Sequence, residues 1–168
     1  MNNQKKRNNP WWHGKKGEHL VLLQFLILVT FVILPEWRPG SLHNMQAVAS
    51  ELRLGILAVC GLLALLFGGL GSHTIREYVT PLPYPVDHNE LVQHGIYAYV
   101  RHPLYSSQLI AGLGWSIYTL SLSHLLLLAV AFLFFDVKAS KEELWLTERH
   151  PEYRTYAAKV KKFIPWVY

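Results

Sequence analysis

Three stretches of the chain carry no Asp, Glu, Lys or Arg. The first, Leu20 to Leu34, reads LVLLQFLILVTFVIL and is polar only at Gln24 and Thr30. It falls slightly short of the roughly 20 residues that span a bilayer, but His19 and Pro35 extend it at the interfaces, with Trp11, Trp12 and Trp37 as flanking anchors. A secretory signal peptide is the rival assignment, since lysines precede the run. The late start at His19, with no small-x-small cleavage pattern before Pro35-Glu36-Trp37, favours a retained helix. The second stretch, Leu54 to Gly71, holds glycines at 55, 61, 68, 69 and 71, which weaken a helix in water but allow close helix contact in lipid. The third, Leu104 to Phe135, is interrupted by Ser121-Leu122-Ser123-His124. It is too short for two full crossings of roughly 20 residues each unless Asp136 to Ser140 prolongs the second helix, so a short helical hairpin is predicted. The expected fold is all-α: a polytopic membrane bundle of about four apolar helices, the last two a short hairpin, followed by a C-terminal amphipathic cytoplasmic helix.

Composition agrees with a bilayer as solvent. The chain has 168 residues, enough for one domain, and is 51% hydrophobic but only 16% charged. The charged share is well below the roughly 25% of soluble domains, which argues against disorder and against an ordinary soluble fold. A single cysteine, Cys60, excludes an intramolecular disulfide and a thiolate metal cluster within one chain. The net charge of +5 comes from residues flanking apolar spans, which fits anchoring to anionic headgroups and argues against nucleic acid as a partner. Lys5, Lys6, Arg7, Lys15 and Lys16 precede the first span, whereas the Pro35 to Ser50 loop has Arg38 and Glu36 only, so the positive-inside rule places the N-terminus in the cytoplasm. Four spans return the basic C-terminal tail to the same side, along with the His73 to Arg101 connection. The organisation expected is a basic cytoplasmic N-terminus over 1–18, two transmembrane helices over 19–72, and a half bearing the chemistry over 73–168.

Two polar segments carry nearly all the reactive side chains. In the connection, Pro81, Pro83 and Pro85 alternate and predict an extended strap. After Gly95, Tyr97 to His102 is expected to form a short helix that shows Tyr97 and Arg101 on one side, with His102-Pro103 opening the next helix at an end that attracts anions. Membrane-edge arginine is a common headgroup anchor. The crowding of Tyr97, Arg101, His102 and Tyr105 favours a site. In the tail, Glu142 and Glu143 follow the last apolar run, as the exposed start of a helix or as partners of cationic groups. Tyr153, Tyr156, Val160 and Phe163 are at helix-like spacing and predict an amphipathic cover over the cytoplasmic face of the bundle. His88, His94 and His102 match no compact zinc spacing, so no metal is expected. Neither a P-loop nor G-x-S-x-G occurs, and Gly112-Leu113-Gly114 sits in an apolar run.

Taken together, Leu91-Val92-x-x-Gly95-x-Tyr97-x-x-Val100-Arg101-His102-Pro103-x-Tyr105, then Glu142-Glu143-x-x-Leu146, Glu152-Tyr153-x-x-Tyr156 and Ile164-Pro165 resemble the isoprenylcysteine carboxyl methyltransferase and phospholipid methyltransferase superfamily of integral-membrane enzymes. The resemblance covers roughly the C-terminal half. It implies S-adenosylmethionine as cofactor, between the Arg-His-Pro loop and the two glutamates, under a helical lid. By motif match Leu91, Val92, Tyr97, His102, Pro103 and Tyr105 line the cofactor, with Glu142 and Glu143 as its acidic contacts. Arg101 and Glu142 are the expected catalytic pair. The implied acceptor is lipid-like or prenylated, methylated on a carboxyl or related group. Family members often have a polar residue such as His shortly before Leu-Val, where this chain has Asn89-Glu90.

Elementary chemistry fits that implication. A sulfonium is held by aromatic faces and carboxylates, and the donor's own carboxylate suits Arg101 or the amides after Pro103. Methyl transfer needs alignment and exclusion of water more than covalent catalysis. A carboxylate acceptor needs no base, whereas an amine or phenol needs one, and Glu142, Glu143 and His102 are the candidates. Membrane sterol reductases, which use NADPH and are usually longer, are similar over Arg101-His102-Pro103-x-Tyr105 and Ile164-Pro165-Trp166-Val167-Tyr168. The paired glutamates favour methyl transfer over reduction. A non-catalytic scaffold that retains the fold is a third alternative.

Overall fold

The computed structural model describes residues 17–40, 50–76 and 91–168. The basic N-terminus through residue 16, the proline strap with Pro81, Pro83 and Pro85, and His88, Asn89 and Glu90 lie outside the described residues. Within them are five α-helices: α1 Glu18–Ile33, α2 Ser50–Thr74, α3 Pro103–Thr119, α4 Leu122–Arg149 and α5 Tyr153–Lys159. Helices α2 and α4 are long and apolar enough to cross a membrane, whereas α1 is apolar but shorter. Leu22, Phe25, Val32, Leu65 and Leu133 are among many large apolar side chains left exposed, as suits helices whose solvent is lipid.

Local chemistry sets the helix ends. Pro35 disfavours helical backbone at the preceding residue, and Leu34 is extended where α1 stops. Pro103 opens α3 at a position where its missing N–H costs nothing. Leu120 ends α3 in a left-handed conformation (φ 50°), and the Ser121 side chain caps α4 by accepting the His124 N–H. The helices run up and down. Arg38 Nε donates to the Thr119 carbonyl at 2.6 Å and Arg53 donates to the Tyr118 carbonyl, both at the C-terminal end of α3, where cations oppose the helix dipole. At the other end Gly71 meets Pro103 and Leu104, so α2 and α3 are antiparallel. A Cβ on Gly114 would lie 2.6 Å from the Cβ of Cys60, which is the closest approach of these two helices that glycine alone permits. Gly68 and Gly71 also serve packing, but Gly55, Gly61 and Gly69 face open space.

Three sequence expectations change here. Tyr97 to His102 is not a helix: a 3₁₀ turn covers Gly95–Ala98, started by Gly95 at φ 61°, and the chain then extends so that Val100 forms a parallel bridge with Lys161. Tyr97 and Arg101 therefore share no helix face. Glu142 and Glu143 are not a helix start but lie deep inside α4, which continues without a break past the apolar run. The amphipathic cover shrinks to the seven residues of α5, with Val160 as its C-cap, and Tyr153, Tyr156 and Phe163 turn inward.

A carboxylate-rich cluster at one end of the bundle

The start of α3, the far half of α4 and the tail after α5 converge at one end. Backbone hydrogen bonds clip the loop to the tail: Arg101 N–H donates to the Lys161 carbonyl at 2.9 Å and His102 N–H to that of Lys162 at 3.1 Å. The loop side chains are thereby aimed at α4. Glu143 Oε1 accepts from Arg101 Nε at 2.9 Å and lies 2.9 Å from His102 Nε2. Glu142 Oε2 lies 3.4 Å from His102 Nδ1, while its other oxygen accepts the Tyr105 hydroxyl. The Arg101 Nη1 donates to the carbonyls of Ala157 (3.0 Å) and Val160, closing the tail over the loop.

The surroundings are aromatic. His102 stacks on Tyr105 at 5.6 Å, and Tyr105 stacks on Phe135 at 4.8 Å. Phe163 stands at an angle to His102, 6.0 Å away. Behind Tyr105, Lys138 Nζ sits 5.1 Å from the ring centroid and donates to Gln24 Oε1 at 2.6 Å, although Lys138 is only 1% exposed. Gln24 in turn donates to Gln108 at 3.2 Å, so α1, α3 and α4 share one part-buried polar chain beside the cluster. Burial pulls the His102 imidazole down, but its hydrogen bonds to Glu142 and Glu143 outweigh that and hold it above the usual histidine range. Burial, with Glu142 and Tyr156 adding to it, pushes the Tyr97 phenol above its ordinary range, so it stays a neutral donor.

Of the residues singled out in the sequence, Arg101, His102, Tyr105, Glu142 and Glu143 meet directly. Pro103 is buried at the helix start, and Tyr97 joins through its carbonyl, which accepts the Tyr156 hydroxyl at 2.6 Å. Leu91 and Val92 are half-buried on the approach to the 3₁₀ turn. Sequence reasoning gave Tyr153, Lys138 and Gln24 no part in the site, although it named Tyr153 in the stripe and in the motif and Gln24 as a polar position of the first span. The last two had a signal: a lysine and a glutamine near or inside apolar runs must find partners.

An apolar cavity of about 660 Å³ opens between α3 and α4 and is lined by Leu109, Leu128, Phe132, Phe163 and Ile164, together with Ser106. Ser106 also donates to the carbonyls of His102 (3.0 Å) and Phe163 (2.7 Å), so the cavity abuts the cluster.

The model of the phospholipid methyltransferase family matches residues 55–153, which span α2, the loop, α3 and α4 with both glutamates. The chain belongs to the phospholipid methyltransferase family. Among its curated relatives is a protein described as probable protein-S-isoprenylcysteine O-methyltransferase in both indica and japonica rice (Oryza sativa), 34% identical over 98 residues, covering 57% of this chain and 48% of the rice proteins. Another is the cobalt-zinc-cadmium resistance protein CzcN of Cupriavidus metallidurans, 37% identical over 78 residues, covering 46% of this chain and 36% of CzcN. The chain thus spans at most about half the length of these curated relatives. For this member of the phospholipid methyltransferase family, the matched segment holds the whole Arg101–Tyr105 motif and the glutamate pair, and it ends at Tyr153.

Proposed function

We propose that the chain is an integral-membrane methyltransferase that takes its methyl group from S-adenosylmethionine and passes it to a lipid-like or prenylated acceptor. The observation that carries this is the meeting of Arg101, His102 and Tyr105 with Glu142 and Glu143, within a chain of the phospholipid methyltransferase family. The donor set fits such a ligand in its cationic part, which two carboxylates and stacked aromatic rings favour, whereas the start of α3 offers little to an anion, since Pro103 has no N–H and those of Tyr105 and Ser106 donate to the His102 carbonyl. S-adenosylmethionine, when bound, supplies an electrophilic methyl group on a cationic sulfur.

The chain's own residues then divide the work. Glu143 is locked by Arg101 and His102, so it orients the loop. Glu142 has one oxygen on Tyr105 and the other only loosely engaged by His102, which leaves it the carboxylate to face the donor's cationic part. Arg101 holds loop, α4 and tail in one geometry through Glu143, Ala157 and Val160, the alignment on which transfer between two bound substrates depends. Leu91, Val92, Tyr97, Pro103 and Tyr105 form the rest of the donor wall. The apolar cavity beside Ser106 suits the chain of an amphiphile entering from between α3 and α4. A carboxylate acceptor needs no proton removed. For an amine or phenol, Glu142 is the base at hand.

In this proposal α1, α2, α3 and α4 all cross the bilayer, with the cluster at its cytoplasmic edge and both termini on that side. Parallel calorimetry of the detergent-solubilised protein with S-adenosylhomocysteine and with NADPH tests the function. Heat with the former and none with NADPH is expected. Binding of NADPH alone would transfer the site to reduction, and silence with both would leave a scaffold.

A further inference from the structure

Tyr153, the first residue of α5, is only 3% exposed. Its ring packs edge-on against Tyr156 at 5.7 Å, and the two phenols differ in one respect. The Tyr156 hydroxyl donates to the Tyr97 carbonyl, whereas the Tyr153 hydroxyl is buried with no hydrogen-bond partner among the described residues. A phenylalanine would pack the same space without the cost of stranding a hydroxyl away from water.

That hydroxyl lies in the field of the cluster described above. Glu143 and Glu142 raise the phenol and Arg101 lowers it, and with burial acting first the phenol stays protonated, a neutral donor. On that side Glu143 Oε1 serves both Arg101 and His102, and the Tyr153 hydroxyl is within hydrogen-bond reach of neither Glu143 oxygen. Among the described residues none accepts from the Tyr153 hydroxyl, which leaves it open to an acceptor brought by a ligand.

We propose that the Tyr153 hydroxyl is a hydrogen-bond contact for the methyl donor, donating to a polar atom of the bound adenosyl amino acid. It acts in binding, beside the carboxylates, and takes no part in proton transfer. The inference rests on the methyltransferase reading, since it needs that donor to occupy the cluster. A buried water is the competing partner, and it would satisfy the hydroxyl without any bearing on ligand affinity.

Tyr153→Phe separates the two, because it removes the oxygen and keeps the ring. Calorimetry with S-adenosylhomocysteine and melting of the ligand-free protein are run on the full chain in detergent for wild type and variant. The expected result is affinity about ten-fold weaker, the loss of one hydrogen bond, with a melting temperature unchanged or raised. Equal affinity in the two proteins would overturn the proposal, and so would a clear fall in ligand-free melting temperature, which would mark the hydroxyl as a structural bond. Absence of binding by the wild type is a different failure, which removes the methyltransferase reading and this contact together.

Discussion

His102 is pinned between two carboxylates and buried, and that has a consequence for stability against pH. Its folded-state value is raised above the ordinary 6.5, so its contribution is fully present below about pH 6.5 and is lost as pH rises through the raised value. The melting temperature in detergent should therefore fall on the alkaline side of neutrality, and His102→Gln should flatten that part of the profile. A variant with the same slope as wild type would mean that Glu142 and Glu143 do not share the proton-bearing ring. At Glu142, Glu142→Gln keeps an acceptor for Tyr105 while it removes the charge and turns the oxygen that faces His102 Nδ1 into an amide donor. It should weaken S-adenosylhomocysteine binding by several-fold while leaving the melting temperature within a few degrees. The residue types of this cluster were legible in the chain, because Arg, His, Tyr and paired Glu at an apolar edge demand partners. Their meeting came only through the family resemblance, and the specific bond of Arg101 to Glu143, 42 positions away, had no local signal. Tyr153 read as part of an apolar stripe because nothing local distinguishes a phenol that packs from one that waits for a ligand.

At the scale of elements, two contacts hold the bundle in the register that the cluster needs. Gly114 lets α3 approach α2 at Cys60, and Gly114→Ala would place a methyl group 2.6 Å from the Cys60 Cβ. The helices must separate, at a cost of about 1–3 kcal/mol, seen as a lower melting temperature in detergent. Gln24 ties α1 to the buried Lys138 ammonium at 2.6 Å, and Gln24→Leu removes a hydrogen bond to a charged group worth about 1.5–3 kcal/mol. An unchanged melting temperature would show that α1 is not fastened to the core by this bond. Helix starts with a local chemical signal, such as Pro103 and Ser121, could be read from the chain. The continuation of α4 through Glu142 and Glu143 could not, because the end of an apolar run marks the edge of lipid and not the end of a helix. The Val100–Lys161 bridge was likewise hidden, as it depends on a tail 61 positions on from the loop it clips.

Across the whole molecule, polarity is segregated by end. One end of the bundle uses Arg38, Arg53, Ser121 and Ser123 to close helix termini on one another. The other end gathers Arg101, His102, Tyr105, Glu142, Glu143 and Tyr153, with an apolar cavity alongside that opens between helices. An acceptor reaching the cluster by that path must be amphiphilic. Methyl transfer to a short-chain soluble analogue should then be far slower than to the same headgroup on a long chain, and equal rates would contradict lateral entry. In the proposed enzyme the loop before α3 and the second half of α4 form one donor site. A photoreactive azido derivative of S-adenosylmethionine, crosslinked to the protein in detergent and mapped by mass spectrometry, tests it most directly. The account predicts label within residues 91–105 and 142–156, lost when S-adenosylhomocysteine is in excess; label confined to other segments, or retained under that competition, would contradict it.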